Sequence, residues 1–292
     1  SHHYALQPYR RWHLEIFWSI HVRALDFTDK VAVITGAGSG IGQALAVQLA
    51  AAGAHLALAD IRSEALAATV ALLPAHGRRV SQHLVDVAST SEVAAFPAAV
   101  LDAHGGVDLL FNNAGVALGG DFTEVSAEDF DWLFDINFHG VVRMTRAFLP
   151  HLLQRPGAHL TNIASLFSLV APAGQSAYSA SKFAVRGFTD ALRHELEGRE
   201  LGISVVCPGG IATAIARNAR MAASLPSEVL ERQQARAAKL LRMPPERAAA
   251  DILAGIRRRK PRILVGHDAR IGAFLERLMP IRYWSLVRGF TK

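Results

Sequence analysis

The sequence predicts an α/β fold in which a seven-stranded parallel sheet is covered by helices on both faces. From Lys30 onward, short β-branched runs alternate with alanine-rich stretches, the pattern of parallel strands joined by crossover helices. Most of these runs are continuously apolar, as strands covered on both faces are. With 292 residues, of which 51% are hydrophobic and 19% charged, the chain has enough apolar material for one such core.

The strands and the segments outside them define the predicted organisation. The seven strands lie at residues 31–35, 55–60, 80–87, 107–112, 159–164, 203–207 and 263–265. Residues 1–27 form an amphipathic N-terminal arm, residues 28–267 the catalytic domain, and residues 268–292 an amphipathic C-terminal tail. Within the domain, residues 211–245 are predicted to form a substrate lid. Its apolar residues are Ile211, Ile215, Met221, Leu225, Leu230, Leu240 and Met243, which could equally pack on the domain, while Arg217 and Arg220 could recognise an anionic group.

Composition limits the partners and the compartment. The single cysteine, Cys207, cannot form an intrachain disulfide, and no apolar run approaches the roughly 20 residues of a spanning helix. We therefore expect a cytoplasmic protein. The net charge of +6 suits nucleic acid, an anionic membrane or a phosphate-bearing cofactor. The basic run at residues 257–260 lacks interleaved aromatic residues, so a solvated helix end explains it better than nucleic-acid binding.

Histidines are numerous, but their spacing does not indicate a metal site. None of the 13 histidines forms a ligand-spaced motif such as His-Glu-x-x-His. We predict no metal. The two terminal segments, by contrast, combine aromatic residues with arginines, so peripheral membrane contact is an alternative to packing on the domain or at a subunit interface.

A glycine-rich turn follows the first strand. Residues 35–42 read Thr-Gly-Ala-Gly-Ser-Gly-Ile-Gly and open a helix, the context in which such a motif binds a dinucleotide. Gly36 permits a sharp turn, Gly40 lets backbone amides approach a pyrophosphate, and Gly42 lets the helix pack on the strand. The helix N-terminus then offers unpaired N–H groups to the phosphates.

Asp60 ends the second strand and bears on the choice of cofactor. It lies 18 residues after Gly42, close to the separation at which a carboxylate accepts hydrogen bonds from the adenosine ribose. A 2′-phosphate would be repelled there, so NAD is favoured over NADP, although Arg62 could compensate. A helix N-cap is the alternative role for Asp60.

Tyr178 and Lys182 form the predicted proton-transfer pair. Four residues apart, they project from one face of a helix. A nearby lysine and a positive nicotinamide ring would both lower the pKa of the phenol, which could then act as acid or base. Ser165 follows the fifth predicted strand, where it could bind the substrate oxygen. Taken singly, the pair could be an exposed helix face and Ser165 a helix cap.

These motifs resemble those of the short-chain dehydrogenase/reductase family over about residues 27–266. The resemblance implies a Rossmann fold, with Tyr178 as proton donor or acceptor, Ser165 as orienter of the substrate and Lys182 as ligand of the nicotinamide ribose. It also implies that Asn137 holds a water in a proton relay to the lysine, although an asparagine satisfied within its helix is the alternative. It further implies a homodimer or homotetramer formed by helices near residues 139–154 and 178–196.

Further family markers complete the predicted cofactor site. The pair Asp86-Val87 resembles the adenine-ring contact, residues 112–115 the motif beside the central strand, and residues 208–213 the loop near the nicotinamide amide, although Pro208 and Gly209 could simply form a turn. The predicted cofactor-binding residues are Gly36, Ser39, Gly40, Ile41, Gly42, Asp60, Ile61, Asp86, Val87, Asn113, Ala114, Gly115, Tyr178, Lys182, Pro208, Gly209, Ile211 and Thr213.

The predicted activity is the interconversion of a secondary alcohol and a ketone or aldehyde by NAD(P), with Tyr178 as the acid or base. The apolar residues of the predicted lid favour a hydrophobic small-molecule substrate. Two alternatives use the same fold: a cofactor-binding regulatory protein without turnover, and a membrane-surface protein whose oxidoreductase core is secondary.

Overall fold

The computed structural model describes residues 24–75, 77–215, 217–221 and 241–291. The strands are β1 (Val31–Thr35), β2 (His55–Asp60), β3 (Val80–Leu84), β4 (Leu109–Asn112), β5 (Leu118–Gly119), β6 (His159–Ile163), β7 (Gly202–Pro208), β8 (Arg220–Met221) and β9 (Arg262–Val265). The helices are α1 (Gly40–Ala51), α2 (Ser63–Ala71), α3 (Thr90–His104), α4 (Ala127–Phe134), α5 (Gly140–Leu152), α6 (Ser176–Glu195), α7 (Pro245–Arg257), α8 (His267–Leu278) and α9 (Tyr283–Thr291).

Seven strands form one parallel sheet in the order β3-β2-β1-β4-β6-β7-β9. The predicted doubly wound fold is therefore confirmed. The order reverses between β1 and β4, and in open sheets of this kind ligands bind outside the carboxyl ends of the strands at such a switch point. The residues that follow β1, β4 and β6 are thus brought together at one edge of the sheet.

Two predicted strands exceed the observed ones by two residues or more, and one of the two is the edge strand β3. The strand predicted at residues 80–87 ends at Leu84, because the Asp86 carboxylate accepts a hydrogen bond from the Ala88 amide and turns the chain (2.8 Å). The strand predicted at 107–112 begins at Leu109. β3 alternates between exposed and half-buried residues, since it has a neighbour on one side only.

A second, two-stranded sheet was not predicted. β5 pairs with β8, so Leu118 lies opposite Arg220 and Gly119 opposite Met221. Arg220 also forms an ion pair with Asp129 (2.9 Å) and lies 3.6 Å above the Trp132 ring. The start of the predicted lid is thereby fixed to α4, whereas Leu225, Leu230 and Leu240 lie outside the described residues.

The core occupies both faces of the sheet and includes the end of the predicted arm. Leu25 is 7% exposed and Phe27 is fully buried, with the Arg257 guanidinium 5.0 Å from the Phe27 ring. Ile211 belongs to the same core cluster as Leu25 and Phe27, and Met243 packs against this cluster. These two residues of the predicted lid therefore contribute to the core.

In the described part of the chain, no helix is both long and apolar enough to span a bilayer. The helix α8 lies in the segment that is predicted to be an amphipathic C-terminal tail. Ile271, Phe274 and Leu278 of α8 are each about 60% exposed, whereas Ala269 and Gly272 are buried. The apolar stripe of α8 thus faces away from the domain.

Candidate active site

The glycine-rich turn leaves the start of α1 open. Gly36 and Gly40 have φ values of +64° and +55°, in the left-handed region that favours glycine. A Cβ on Gly42 would meet the Gly36 carbonyl oxygen and lie 2.6 Å from the side-chain nitrogen Nδ2 of Asn113. Ser39 precedes the helix without a side-chain cap bond. The first-turn N–H groups therefore face an open cradle that fits a pyrophosphate.

Thr35 joins this turn to the chain that follows β4. Its hydroxyl accepts hydrogen bonds from the amides of Asn113 and Ala114 (both 3.0 Å). The Asn113 side chain in turn donates to the carbonyl oxygens of Thr35 and Gly36 (3.0 and 3.2 Å). The segment predicted beside the central strand therefore supports the nucleotide turn directly.

Asp60 supports the same turn from the other side. Its carboxylate accepts hydrogen bonds from the Gly38 amide (2.9 Å) and the Arg62 amide (3.2 Å). The Arg62 guanidinium lies 3.6 Å from Asp60. At the start of α2 the N-cap residue is Arg62, so the alternative role of Asp60 as the cap is not observed.

Three further residues that are predicted to bind the cofactor lie just after β2 and β3. Ile61 follows β2 and is 65% exposed, Asp86 is exposed beyond β3, and Val87 is buried against the core. A Cβ on Gly140 would lie 2.8 Å from a Val87 methyl group. Ile61 and Asp86 thus present their side chains to solvent, whereas Val87 packs in the core.

Tyr178 and Ser165 lie within hydrogen-bonding reach of each other. Tyr178 is in the first turn of α6, and Ser165 follows β6. Burial raises the pKa of Tyr178, while its hydrogen bond with Ser165 acts in the opposite direction and is the smaller effect. The sequence predicts that Lys182 lowers the pKa of Tyr178. Among the described residues, Lys182 makes no such contribution. Ser165 also accepts a hydrogen bond from the Phe167 amide (3.1 Å), so it does cap the short turn Leu166–Ser168.

Lys182 is buried beneath the tyrosine. Its side chain is 4% exposed, its ammonium group donates to the Ile163 carbonyl oxygen (3.2 Å), and it lies 5.7 Å from the centroid of the Tyr178 ring. Burial lowers the pKa of Lys182 to about 8 because removal from water disfavours the charged form. The pair is therefore not an exposed helix face.

Asn137 lies in a π-helical turn, Asp135–His139, between α4 and α5. Its side chain accepts from the Val116 amide (2.8 Å) and donates to the Val116 carbonyl oxygen (2.9 Å). It is therefore satisfied by another segment of chain and not within its own helix. A Cβ on Gly115 would lie 3.1 Å from the Asn137 oxygen and 3.4 Å from the Lys182 nitrogen, so both polar groups border the space beside Gly115.

The loop after β7 closes over the glycine turn. Pro208 ends the strand, and the Gly209 amide donates to the Val265 carbonyl oxygen (2.9 Å). A Cβ on Gly40 would lie 2.9 Å from the Thr213 methyl group. Thr213 therefore borders the nucleotide cradle, while the side chain of Ile211 is buried in the core.

Sequence reasoning missed Asp268 and Phe167. Asp268, in the first turn of α8, accepts a hydrogen bond from the Gly210 amide (2.6 Å). Phe167 packs edge-on against Tyr178, with ring centroids 6.0 Å apart. An acidic residue in the first turn of a helix commonly interacts with the N-terminus of that helix. The sequence position of Asp268 therefore did not indicate a contact with a distant loop. Within the described ranges, no group of three or more His, Cys, Asp or Glu residues could hold a metal ion.

The fold places a glycine-rich turn at a helix N-terminus and the hydroxyl groups of Ser165 and Tyr178 at one edge of the sheet, a combination typical of dinucleotide-dependent oxidoreductases. The sequence model of the family described as short chain dehydrogenase matches residues 30–224. The chain belongs to this family and is an enzyme of the dehydrogenase/reductase type.

Individual proteins agree with this assignment. SadH of Mycobacterium tuberculosis, an oxidoreductase by name, is 44% identical over 264 residues, which cover 90% of this chain and 95% of SadH. A 1-deoxy-11-beta-hydroxypentalenate dehydrogenase of Streptomyces avermitilis is 38% identical over 66% of this chain and 73% of its own length.

A similar solved structure is that of a short-chain dehydrogenase/reductase from Burkholderia phymatum in complex with NAD. It has a TM-score of 0.79 and 38% identity, and the match covers 87% of this chain and 95% of that chain. Together with the family match, it confirms the prediction of a nicotinamide dinucleotide cofactor at the level of the family.

Proposed function

We propose that this chain is an NAD-dependent dehydrogenase that interconverts a hydrophobic secondary alcohol and the corresponding carbonyl compound. The observation that carries the proposal is the proximity of the Ser165 and Tyr178 hydroxyl groups beside a buried Lys182. Two hydroxyl groups at one point can bind the same substrate oxygen, one to hold it and the other to exchange its proton.

The proposed roles follow from these positions. Tyr178 transfers the proton, Ser165 orients the substrate oxygen, and Lys182 binds the ribose next to the nicotinamide. When bound, the nicotinamide ring accepts or supplies the hydride and contributes positive charge beside the phenol. Because burial alone raises the pKa of Tyr178, its phenolate requires such a positive neighbour.

Asn137 is proposed to hold the water through which protons reach Lys182 from solvent. Its side chain is held by both backbone polar groups of Val116, so its oxygen is kept beside Gly115 in the space that Lys182 also borders. A water held there could pass a proton to Lys182 from outside.

NAD is the proposed cofactor because of Asp60. Its carboxylate is 8% exposed and fixed by the Gly38 amide, and a 2′-phosphate brought there would meet a negative charge. Arg62 lies against the Asp60 carboxylate. Because this carboxylate partly neutralises the guanidinium, Arg62 attracts a phosphate less strongly. The NAD complex of the Burkholderia phymatum structure supports the same choice.

The proposed substrate class rests on apolar groups near the reacting hydroxyls. Phe167 is partly exposed and packs edge-on against the Tyr178 ring. Met221 lies at Gly119 on the neighbouring two-stranded sheet, where a Cβ on Gly119 would be 2.9 Å from its sulfur. The relative from Streptomyces avermitilis, whose name specifies a hydroxy compound, supports a hydroxyl group as the reacting centre.

The test is a substrate screen with both cofactors. Steroids, retinoids, acyl carbonyls and small diols are incubated with the enzyme and NAD(H) or NADP(H), and the absorbance of the reduced nicotinamide is followed. We expect turnover of an apolar alcohol or ketone, lost in Ser165→Ala. Binding of NADH without turnover of any compound would instead favour a regulatory cofactor-binding protein.

A second candidate function is attachment to an anionic lipid surface. The spacings of Ile271, Phe274 and Leu278 place them on the outward side of α8, and Arg270 and Arg277 border the same side. Apolar residues flanked by cations match a membrane of anionic lipids. Phe274→Asp is therefore expected to abolish sedimentation with phosphatidylserine vesicles at low salt, while Phe122→Asp, which changes a phenylalanine that is 70% exposed elsewhere, leaves it intact.

The proposed assembly is a homodimer or homotetramer formed by the faces of α5 and α6. Phe183 on α6 is 38% exposed, so the face contains an apolar side chain that a second copy could cover. Light scattering with size-exclusion chromatography tests this proposal. We expect Phe183→Asp to shift the mass toward the monomer, whereas a monomeric parent protein would contradict it.

A further inference from the structure

Asp268 connects the C-terminal helix α8 to the loop after β7. One carboxylate oxygen accepts a hydrogen bond from the Gly210 amide (2.6 Å), and the other accepts one from the Ala269 amide (2.9 Å). An acidic residue in a first helical turn commonly interacts with the helix N-terminus. Here only one oxygen does so, and the other points to a loop 58 residues earlier in the chain.

Two glycines make room for this carboxylate. A Cβ on Gly209 would fall on the Asp268 carboxylate, and a Cβ on Gly266 would lie 2.5 Å from one of its oxygens. Gly266 also has a φ of +98°, which side chains of L-residues rarely adopt. The carboxylate thus occupies a space that the local sequence Gly209-Gly210 and Gly266 leaves open.

The rest of the loop is tied down close to the nucleotide cradle. The Gly210 carbonyl oxygen accepts from the amides of Arg242 and Met243 (both 3.1 Å), and the Ala212 amide donates to the Met243 carbonyl oxygen (2.8 Å). Three residues beyond Gly210, the Thr213 methyl group borders Gly40. A displacement of Gly210 would therefore move Thr213 and with it the loop that the family resemblance assigns to the nicotinamide amide.

We propose that Asp268 is a positioning residue for the cofactor, which acts by holding Gly210 so that the loop up to Thr213 encloses the nicotinamide half of the dinucleotide. This inference rests on the proposed function for the identity of the ligand. Asp268 itself touches neither the cradle nor Tyr178, so its effect is confined to the geometry of the loop.

The test compares two ligands that differ in the nicotinamide ring. NADH and ADP-ribose share the adenosine and pyrophosphate groups, and ADP-ribose lacks the ring. In Asp268→Asn, the side-chain NH₂ group faces the N–H group of either Gly210 or Ala269, so one of the two hydrogen bonds is lost. We expect the Kd of NADH to rise about tenfold. The Kd of ADP-ribose should change less than twofold. Asp268→Ser, with a shorter acceptor, is expected to show the same selectivity.

The matched control is Glu276→Gln, which removes a carboxylate charge from the same helix and should leave both constants unchanged. Equal weakening of NADH and ADP-ribose would overturn the proposal, because the variant would then disturb the whole fold or cradle. Unchanged NADH binding would overturn it as well. Failure of the parent protein to bind either ligand would instead contradict the proposed function.

Discussion

The ammonium group of Lys182 lies 5.7 Å from the centroid of the Tyr178 ring, one helical turn further along α6, and donates a hydrogen bond to the Ile163 carbonyl oxygen. This relationship ties the chemistry to the stability of the protein. In its proposed role the lysine binds a ribose beside the tyrosine, and its burial at that position removes its hydration.

Replacement of Tyr178 by phenylalanine tests the proton-transfer role. We expect Tyr178→Phe to lower kcat by about 10²- to 10⁴-fold because the ring is kept and only the hydroxyl is removed. The Kd of NADH should change little. Tyr283→Phe removes a hydroxyl that accepts a hydrogen bond from the Ala171 amide and serves as the control. A full rate of cofactor oxidation in Tyr178→Phe would show that another group transfers the proton.

The buried lysine should reduce stability near neutral pH. Its pKa is about 8 in the folded protein against 10.5 when exposed, so the unfolded chain binds more protons between these values and stability rises with pH across that window. Lys182→Met should therefore stabilise the ligand-free protein at pH 7 by up to about 3 kcal/mol, less the cost of the lost bond to Ile163.

Urea unfolding at a series of pH values measures this effect. The gain in Lys182→Met should be largest below pH 8 and should shrink toward pH 10.5. Lys260→Met, at an exposed position in the turn after α7, is the control and should show no such trend. A gain that does not vary with pH would mean that packing, and not the charge, accounts for the change.

Asp60 should determine the choice between the two cofactors. In Asp60→Ala the negative charge beside the ribose is removed and Arg62 loses its partner. We expect the ratio of kcat/KM for NAD to that for NADP to fall at least about tenfold, equivalent to about 1.4 kcal/mol. Asp86→Ala is the matched comparison, since it should weaken both cofactors together. An unchanged ratio in Asp60→Ala would assign the selectivity to another residue.

Two buried histidines should make the protein sensitive to acid. Burial lowers the pKa of His159 to about 3 and that of His104 to about 4. The folded protein therefore keeps these rings neutral, and stability present above pH 6.5 is lost as the pH falls toward these values.

His159→Gln isolates one of these contributions. His159 is 1% exposed and bonds to the Ser204 hydroxyl (2.8 Å), which a glutamine can still reach. Between pH 6 and 4, stability of the parent protein should fall more steeply than that of His159→Gln, by about 1 kcal/mol per pH unit. The exposed His194→Gln gives the reference slope, and parallel curves for all three proteins would contradict the assignment.

The main sheet could be predicted because each of its strands carries a local signal. β1, β2 and β6 are buried at nearly every position, so their apolar runs stand out between alanine-rich helices. β5 and β8 have two residues each, too few for any periodicity. Their pairing depends on contacts such as Arg220 with Trp132, which join segments far apart in sequence.

The parts of the site that form a contiguous motif could be predicted from the sequence. The parts that depend on contacts between distant segments could not. The glycine turn and the Tyr178 and Lys182 pair are each visible within one stretch of sequence. The burial of Lys182 and the satisfaction of Asn137 by Val116 arise only from packing. The predicted lowering of the Tyr178 pKa considered charges but not the loss of water, and burial has the larger effect.

The burial of Phe27 beneath Arg257 determines where the chain can be shortened. A truncated protein that begins at Ala24 keeps Leu25, whose amide donates to the Arg257 carbonyl oxygen (3.0 Å), and keeps the Phe27 ring in place. One that begins at Thr28 removes both side chains from the core and leaves a void next to α7, at a cost of about 3 to 5 kcal/mol for the phenylalanine alone. Deletions meant to probe lipid binding by the first residues should therefore stop before Ala24, so that weaker attachment is not confused with partial unfolding.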